Sequence, residues 1–305
     1  MPHAKDNIPV RETGLSVLIP AYNEQQGVGL VVKALREELS ETGRPFEILI
    51  VDDGSTDNTF LEAEAADARV IRHATNRGYG AALKTGLRHV RYETVCITDA
   101  DGTYPAKYIP GLVEQLARHN WDMVVGARTG QNVAIPLIRR PAKWAMGCFA
   151  EFMAGQPIPD LNSGLRVFSR KTVLKFLGFL PDGFSFTTTI TLAMLSNGYL
   201  VHYEPIDYYA RVGRSKIRPV RDTLNFVGLI LRMSLYFAPL KIFLPLSGFL
   251  ALMAIGWGAF SKVFIGQVAD VSTIVIFMTA VQAGIVGLLA ELISRRLPDL
   301  SQEER

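Results

Sequence analysis

The chain has 305 residues, enough for one large domain or two smaller ones around a buried core. A net charge of +3 is too small to point to a nucleic-acid partner. Two cysteines far apart in apolar settings, Cys96 and Cys148, exclude a disulfide framework or a cysteine metal site and read as buried free thiols. Hydrophobic residues make up 49% of the chain and mean hydropathy is +0.18, high for a soluble enzyme, with the excess towards the C-terminus.

In chain order, residues 1–13 read as a flexible tail. This stretch lacks the apolar core of a signal peptide, so the domain that follows is expected in the cytoplasm. Residues 14–216 form the expected α/β catalytic domain. Short apolar runs at Ser16–Pro20, Phe46–Val51, Val70–Ile71, Thr94–Thr98 and Asp122–Val125 suit strands buried on both faces. Helical patterns fall between them at Gly27–Leu39, Thr59–Ala66, Gly80–Val90 and Ala106–His119. This alternation predicts a mostly parallel, Rossmann-like sheet with helices on both faces, whose ligands bind beyond the carboxyl ends of the strands. From Arg139 to Tyr209 the pattern loosens into helices and short strands.

The C-terminal part is of another kind. Residues 217–238 are expected to form an interfacial amphipathic helix: Leu224, Val227, Leu231 and Leu235 share one face, and Arg221, Asn225 and Arg232 another. The alternative is a helix packed on the soluble domain. Between Arg211 and Lys241 lie seven basic residues and only Asp222 as an acid, a belt suited to an anionic membrane surface or a phosphate-bearing substrate. Residues 239–294 carry two uncharged apolar segments, Ile242–Phe260 with 19 residues and Val271–Ala290 with 20. At ~1.5 Å per residue each can cross a hydrocarbon core of ~30 Å, the alternative being a pair of buried core helices. The short linker makes them a hairpin. Basic residues before the first span, and Arg295 and Arg296 after the second, place both hairpin ends and the tail 295–305 in the cytoplasm. Glycines in the anchor could let copies associate as a homo-oligomer.

The polar motifs fall at the predicted strand ends. In Thr98-Asp99-Ala100-Asp101-Gly102, residues two apart in an extended segment project to one side, so Asp99 and Asp101 can converge across the small Ala100. Such a pair can hold Mg²⁺ or Mn²⁺ with open positions for diphosphate oxygens, or can be an ordinary solvated turn. Pro20-Ala21-Tyr22-Asn23-Glu24 ends the first strand with a ring and a carboxylate. Asp52 and Asp53 end the second, and read as acceptors for a base or ribose, while Asp57 reads as a helix cap. Asn76-Arg77-Gly78-Tyr79-Gly80 supplies a turn for close backbone approach. Neither GxGxxG nor GxxxxGK[ST] occurs, which removes the dinucleotide and P-loop readings.

SVLIPAYNE, ILIVDDGSTDNT, NRGYGAALKTGL and ITDADG, in this order, closely resemble the family 2 glycosyltransferases of GT-A fold. Asp160–Arg166 (DLNSGLR) and Arg211–Lys216 (RVGRSK) are similar to the polyprenyl-phosphate branch, which includes dolichyl-phosphate mannose synthase and bacterial undecaprenyl-phosphate sugar transferases. The resemblance covers about residues 14 to 218, and its two-helix tail is seen among bacterial members. It implies a nucleoside-diphosphate sugar donor, with Pro20, Tyr22, Glu24, Asp52, Asp53, Gly78 and Ala100 around it. It also implies a metal at Asp99 and Asp101, and Arg128, Arg139 and Arg211 beside the reacting phosphates. The acceptor phosphate would fall to Arg139, Ser163, Arg166, Arg211, Arg214, Ser215 and Lys216, since guanidinium pairs bidentately with phosphate. Any single one of these arginines could instead be a lipid-facing charge. Two departures stand out. Thr103 occupies the place of a common Gln metal ligand, and RVGRSK is one residue shorter than R-x-x-G-x-S-K.

The five histidines, His3, His73, His89, His119 and His202, show no ligand spacing and read as surface or packing residues. A phosphate acceptor is already anionic and needs positioning rather than a general base, whereas a hydroxyl acceptor would normally need one. The expected activity is therefore inverting sugar transfer to a membrane polyprenyl phosphate. The rivals are transfer to a hydroxyl of a glycolipid or polysaccharide, and a non-catalytic nucleotide-sugar-binding scaffold. Two spans and no Q-x-x-R-W motif weigh against a processive polysaccharide synthase.

Overall fold

A computed structural model describes residues 11–130, 147, 150–152, 154–209, 235, 239–264, 266 and 270–300. The chain divides into two compact units, Met1–Phe226 and Val227–Arg305. In the first, strands β1 (Arg11–Ala21), β2 (Phe46–Asp52), β3 (Arg69–Arg72), β4 (Tyr92–Ile97), β5 (Met123–Ala127), β6 (Arg166–Ser169) and β7 (Val201–Pro205) form one sheet. Its order is β3-β2-β1-β4-β6-β5-β7. All five strands expected from the apolar runs are present. They run parallel because each crossover carries a helix: α1 (Val28–Ser40), α2 (Thr59–Ala65), α3 (Tyr79–His89) and α4 (Ile109–Arg118), the last preceded by a 3₁₀ turn at Ala106–Tyr108. Strand β6 is the exception and pairs antiparallel with both β4 and β5.

Burial follows the apolar patterns. In β2, Glu47 to Asp52 are all buried, as a strand covered on both faces requires. On α1, Val28, Val32, Leu35 and Leu39 form the buried stripe at helical spacing and join the core with Val17, Ile19 and Ile48. Each such side chain contributes about 1.5–3 kcal/mol through burial. The short helix α5 (Arg170–Leu174) is followed by α6 (Phe186–Ser196), in which Phe186 to Leu195 are buried on every side, as expected for a core helix. Cys96 is a buried free thiol, its pKa pushed up by burial. Cys148 lies outside the described residues.

The topology puts the carboxyl ends of β1, β2, β3, β4, β5 and β7 along one edge of the sheet. Since β6 is antiparallel, the loop entering it, through Ser163 and Gly164, arrives at that same edge. This is where an open α/β sheet presents ligands to its loops.

The second unit is a helical hairpin of α7 (Leu240–Phe264) and α8 (Asp270–Leu300). Ser247 Oγ donates to Ala280 O at 2.8 Å and Trp257 Nε1 to Ser272 Oγ at 2.8 Å, which fixes an antiparallel register. Gly258 and Gly284 lie against Thr273 and Ser247, so small residues bring the two backbones close. Leu240–Phe264 and Val271–Ile293 are long and apolar enough to cross a membrane. Only 6% and 11% of these two spans are buried, which removes the alternative of core helices. Leu244, Phe249, Leu252, Val275 and Leu288 face outward, a surface suited to hydrocarbon. The expected interfacial helix at 217–238 lies outside the described residues except for Leu235.

Candidate active site

The turns that end β1 and begin α2 are laced together. Asn23, in the left-handed region at φ 53°, donates through its backbone N to Ser55 Oγ at 2.9 Å and accepts from Thr56 N at 2.9 Å through Oδ1. Glu24 N donates to Thr59 Oγ1 at 2.8 Å, Gln25 N to Asp57 Oδ2 at 3.4 Å, and Asn58 N to Gln25 Oε1 at 3.1 Å. Burial works to raise the Asp57 carboxyl, but the Thr59 side chain and the backbone amides of Thr59 and Gln25 outweigh it, and its pKa is lowered. Asp57 thus caps the backbone, as its position suggests. The lacing leaves Tyr22 and Glu24 half-buried at the edge, while Pro20 is buried within β1.

Asp52 and Asp53, expected to receive a base or ribose, both have partners within the protein. Asp52 is fully buried; its Oδ1 accepts from Ser55 N at 2.9 Å and its Oδ2 lies 3.1 Å from Arg72 Nε. Asp53 accepts from Arg77 N at 2.9 Å, Gly78 N at 2.7 Å and His73 Nδ1 at 2.6 Å. His73 Nε2 in turn pairs with Thr85 Oγ1 at 2.9 Å. Both carboxylates help to shape the edge, and the second one holds the turn that carries Gly78. His73 is buried at the centre of that network. Only its position just after β3 hinted at this, because a lone histidine carries no spacing signal.

At the end of β4, Asp99 is half-buried and Asp101 is buried. Asp101 Oδ1 accepts from Thr103 Oγ1 at 2.7 Å and Thr103 N at 3.1 Å. Thr103, which departs from the expected glutamine, therefore orients a carboxylate. Asp99 Oδ1 accepts from Tyr79 Oη at 3.3 Å. Burial, with the charge of Asp99, raises the Tyr79 phenol well above its usual range, so it is a neutral donor. A Cβ on Gly164 would lie 2.7 Å from Asp99 Oδ2, so any larger residue at this point in the loop entering β6 would displace this carboxylate. Gly164 N donates to Tyr104 Oη at 2.7 Å, which pins that loop. Ala100, expected beside the donor, is buried and belongs to the hydrophobic core cluster.

The expected phosphate-gripping residues on β5 and β6 are placed differently from the expectation. Arg128 donates through Nε to Asp160 Oδ2 at 2.7 Å and through Nη2 to Asp160 Oδ1 at 2.8 Å, a bidentate pair. Nη2 also reaches Asn162 Oδ1 at 2.7 Å, and the guanidinium lies over the Tyr208 ring. Burial works to lower the Arg128 pKa, but the Asp160 carboxylate more than offsets it and holds the guanidinium charged. Ser163 is buried and donates to Gly126 O. Arg166 is fully buried and donates to Thr187 O and Thr191 Oγ1, both at 2.9 Å, and to Ser163 O. Ser163 and Arg166, expected at the acceptor phosphate, thus bond to one another and brace the β5–β6–α6 region. Arg139, Arg211, Arg214, Ser215 and Lys216 lie outside the described residues.

No group of three or more His, Cys, Asp or Glu side chains gathers into a metal cage among the described residues. Two oxygen donors at one turn, with neither thiolate nor imidazole, fit a hard cation such as Mg²⁺ or Mn²⁺. Ions of that kind are held by one or two carboxylates together with substrate phosphate oxygens and water.

Comparison with known proteins agrees with this architecture. The pattern of glycosyl transferase family 2 matches residues 16–176, and that of the GtrB C-terminal hairpin matches residues 238–296. The chain is similar to the dodecaprenyl-phosphate galacturonate synthase of Rhizobium johnstonii, with 25% identity over 308 residues, 95% of this chain and 90% of the relative. It is also similar to the dolichyl-phosphate hexose transferase of Haloferax volcanii, with 31% identity over 206 residues, 67% of this chain and 87% of the relative. Among solved structures, glucosyl-3-phosphoglycerate synthase of Mycobacterium tuberculosis, in complex with Mn²⁺, uridine diphosphate and phosphoglyceric acid, superposes with a TM-score of 0.59. That alignment has 20% identity and covers 73% of this chain and 78% of the other, which establishes the shared fold.

Proposed function

The chain belongs to glycosyl transferase family 2, and on that premise we propose that it transfers a sugar, with inversion, from a nucleoside-diphosphate sugar to a polyprenyl phosphate at the cytoplasmic face of a membrane. The reading is carried by the Asp99–Asp101 turn, held by Thr103 and Tyr79 at the sheet edge where α/β ligands bind. The acceptor class is supported by the two relatives, whose names specify dodecaprenyl and dolichyl phosphates, and by a hairpin whose outer surface is apolar.

In this reading Tyr22 and Glu24 meet the nucleoside, and Asp53 acts indirectly by fixing the Arg77–Gly78 turn. Asp99 and Asp101 would hold Mg²⁺ or Mn²⁺ against the diphosphate, and the ion would neutralise charge on the departing nucleoside diphosphate. The acceptor phosphate is anionic at neutral pH, so in-line attack at the anomeric carbon needs alignment and charge compensation rather than proton removal. Arg139, Arg211, Arg214, Ser215 and Lys216 are the proposed source of that compensation, on their sequence pattern. Lys241 before the first span and Arg295 and Arg296 after the second support a cytoplasmic location for both hairpin ends.

The test is incubation of the full chain in membranes with labelled nucleotide sugars, Mg²⁺ or Mn²⁺, and undecaprenyl or dolichyl phosphate. A chloroform-soluble, acid-labile product is expected, and Asp101→Ala should lower its rate by about 10³-fold. Full activity of Asp101→Ala with the metal chelated would overturn the mechanism. An acid-stable product would overturn the acceptor.

A further inference from the structure

We propose that Tyr79 is a positioning residue for Asp99, and that the Pro181–Phe184 turn holds Tyr79 in place from outside the α/β strand ends. The proposal rests on the reading of Asp99 as a metal and diphosphate residue.

Three independent contacts define the arrangement. The Tyr79 hydroxyl donates to Asp99 Oδ1 at 3.3 Å, while the Gly164 backbone confines the other carboxylate oxygen. Asp99 is thus bounded on two sides, by a donor and by a backbone with no side chain. The 3.3 Å separation is long for an O–H···O bond, as catalytic hydrogen bonds often are before the ligand is bound. The Tyr79 ring stacks on Phe184, with centroids 5.6 Å apart and planes 20° from parallel, although Phe184 itself is 77% exposed. An aromatic so open to solvent gains little from burial there, and its evident contact is the tyrosine ring.

The backbone on either side of Tyr79 is locked to the same turn. A Cβ on Gly78, at φ 104°, would lie 2.5 Å from Asp182 O, and one on Gly80 would lie 2.1 Å from Pro181 O. Ala81 N donates to Asp182 O at 3.0 Å, and Lys84 Nζ meets Asp182 Oδ1 at 2.7 Å. From the other side, Asp53 accepts from Arg77 N and Gly78 N. The start of α3 is therefore clamped between the end of β2 and a turn about a hundred residues later in the chain. The clamp aims the Tyr79 side chain at the acidic turn. Hydrogen-bond partners of metal-binding carboxylates set the ligand's orientation, and their loss typically weakens metal binding.

Mn²⁺ is the probe, titrated into the purified full chain in lipid nanodiscs and followed by electron paramagnetic resonance of the free ion. Tyr79→Phe retains the stacked ring and removes only the hydroxyl. It should weaken Mn²⁺ binding about 10-fold with an unchanged melting temperature, and should lower kcat more than it raises the KM for lipid phosphate. Phe184→Ala should weaken Mn²⁺ binding in the same direction by a smaller factor. Asp99→Asn is the reference and should lose most of the binding. If Asp99→Asn loses Mn²⁺ while Tyr79→Phe binds it like the parent, the positioning role is overturned and the metal reading stands. If Asp99→Asn also binds Mn²⁺ like the parent, both are overturned.

Discussion

Along the ends of β1 and β4, Tyr22, Glu24 and Asp99 remain half-buried at the edge, where Ser55 holds Asn23, Thr59 holds Glu24, Thr103 holds Asp101 and Tyr79 meets Asp99. Along the ends of β5 and β6 the charged groups are spent inside the protein: Arg128 on Asp160, and Arg166 on two carbonyls and a threonine. The same edge therefore has a flank that presents charge and a flank that neutralises it. An arginine whose Nε and Nη2 are engaged by Asp160 and Asn162 has fewer donors left for a phosphate.

The sharpest way to break this contrast is to unpair the second flank. Asp160→Ala would leave the largely buried Arg128 guanidinium without its carboxylate, at a cost of about 3–5 kcal/mol. A fall in melting temperature of about 10 °C is expected for the soluble unit. If Asp160→Ala melts like the parent, Arg128 is not tied up and can return to the list of phosphate ligands.

A somewhat smaller effect sharpens the contrast at β6. Arg166→Met fills much of the space but removes the guanidinium donor to Thr191 Oγ1 and Ser163 O, and leaves Thr187 O with the Thr191 hydroxyl in place of two side-chain donors. A loss of about 2–4 kcal/mol is expected, with the KM for lipid phosphate unchanged in the folded enzyme. A KM raised severalfold at parental stability would show that Arg166 touches the acceptor.

The two flanks also differ in how far the sequence reveals them. The parallel strands were legible because ILIV and its kin can only be strands buried on both faces, and the helices because Val28, Val32, Leu35 and Leu39 keep helical spacing. Asp99 and Asp101 sit at the strand end where the motif puts them, although two carboxylates around a small residue suit a solvated turn as well as a metal pair. The antiparallel β6 was not singled out, since RVFS is four residues long and pairs by contacts formed across the sheet. Asp52, Asp53, Ser163 and Arg166 look identical in sequence whether they face a ligand or a backbone amide. Their roles depend on partners such as Arg72, Gly78, Gly126 and Thr187, which folding alone brings to them. Thr103 and Tyr79 were visible as positions in motifs, but their function lies in which carboxylate oxygen each reaches.

The smallest expected effect concerns the lacing that holds the presenting flank. Asp57 is only partly buried, and its lowered pKa comes from bonds donated by Thr59 and Gln25. A carboxyl whose folded pKa lies below its usual 3.8 adds stability that is fully present above that value and is lost as pH falls through the folded pKa. Asp57→Asn keeps an acceptor oxygen but removes the charge, so it should cost about 0.5–1 kcal/mol at neutral pH. The cost should shrink towards zero in acid, where the parent's carboxyl is itself protonated. Urea titrations of parent and variant at pH 7 and pH 3 read this directly: a gap at pH 7 that narrows at pH 3, below the usual 3.8, is the expected pattern. A gap of equal size at both values would mean that the side chain's shape, rather than its charge, fastens α2 to the turn after β1.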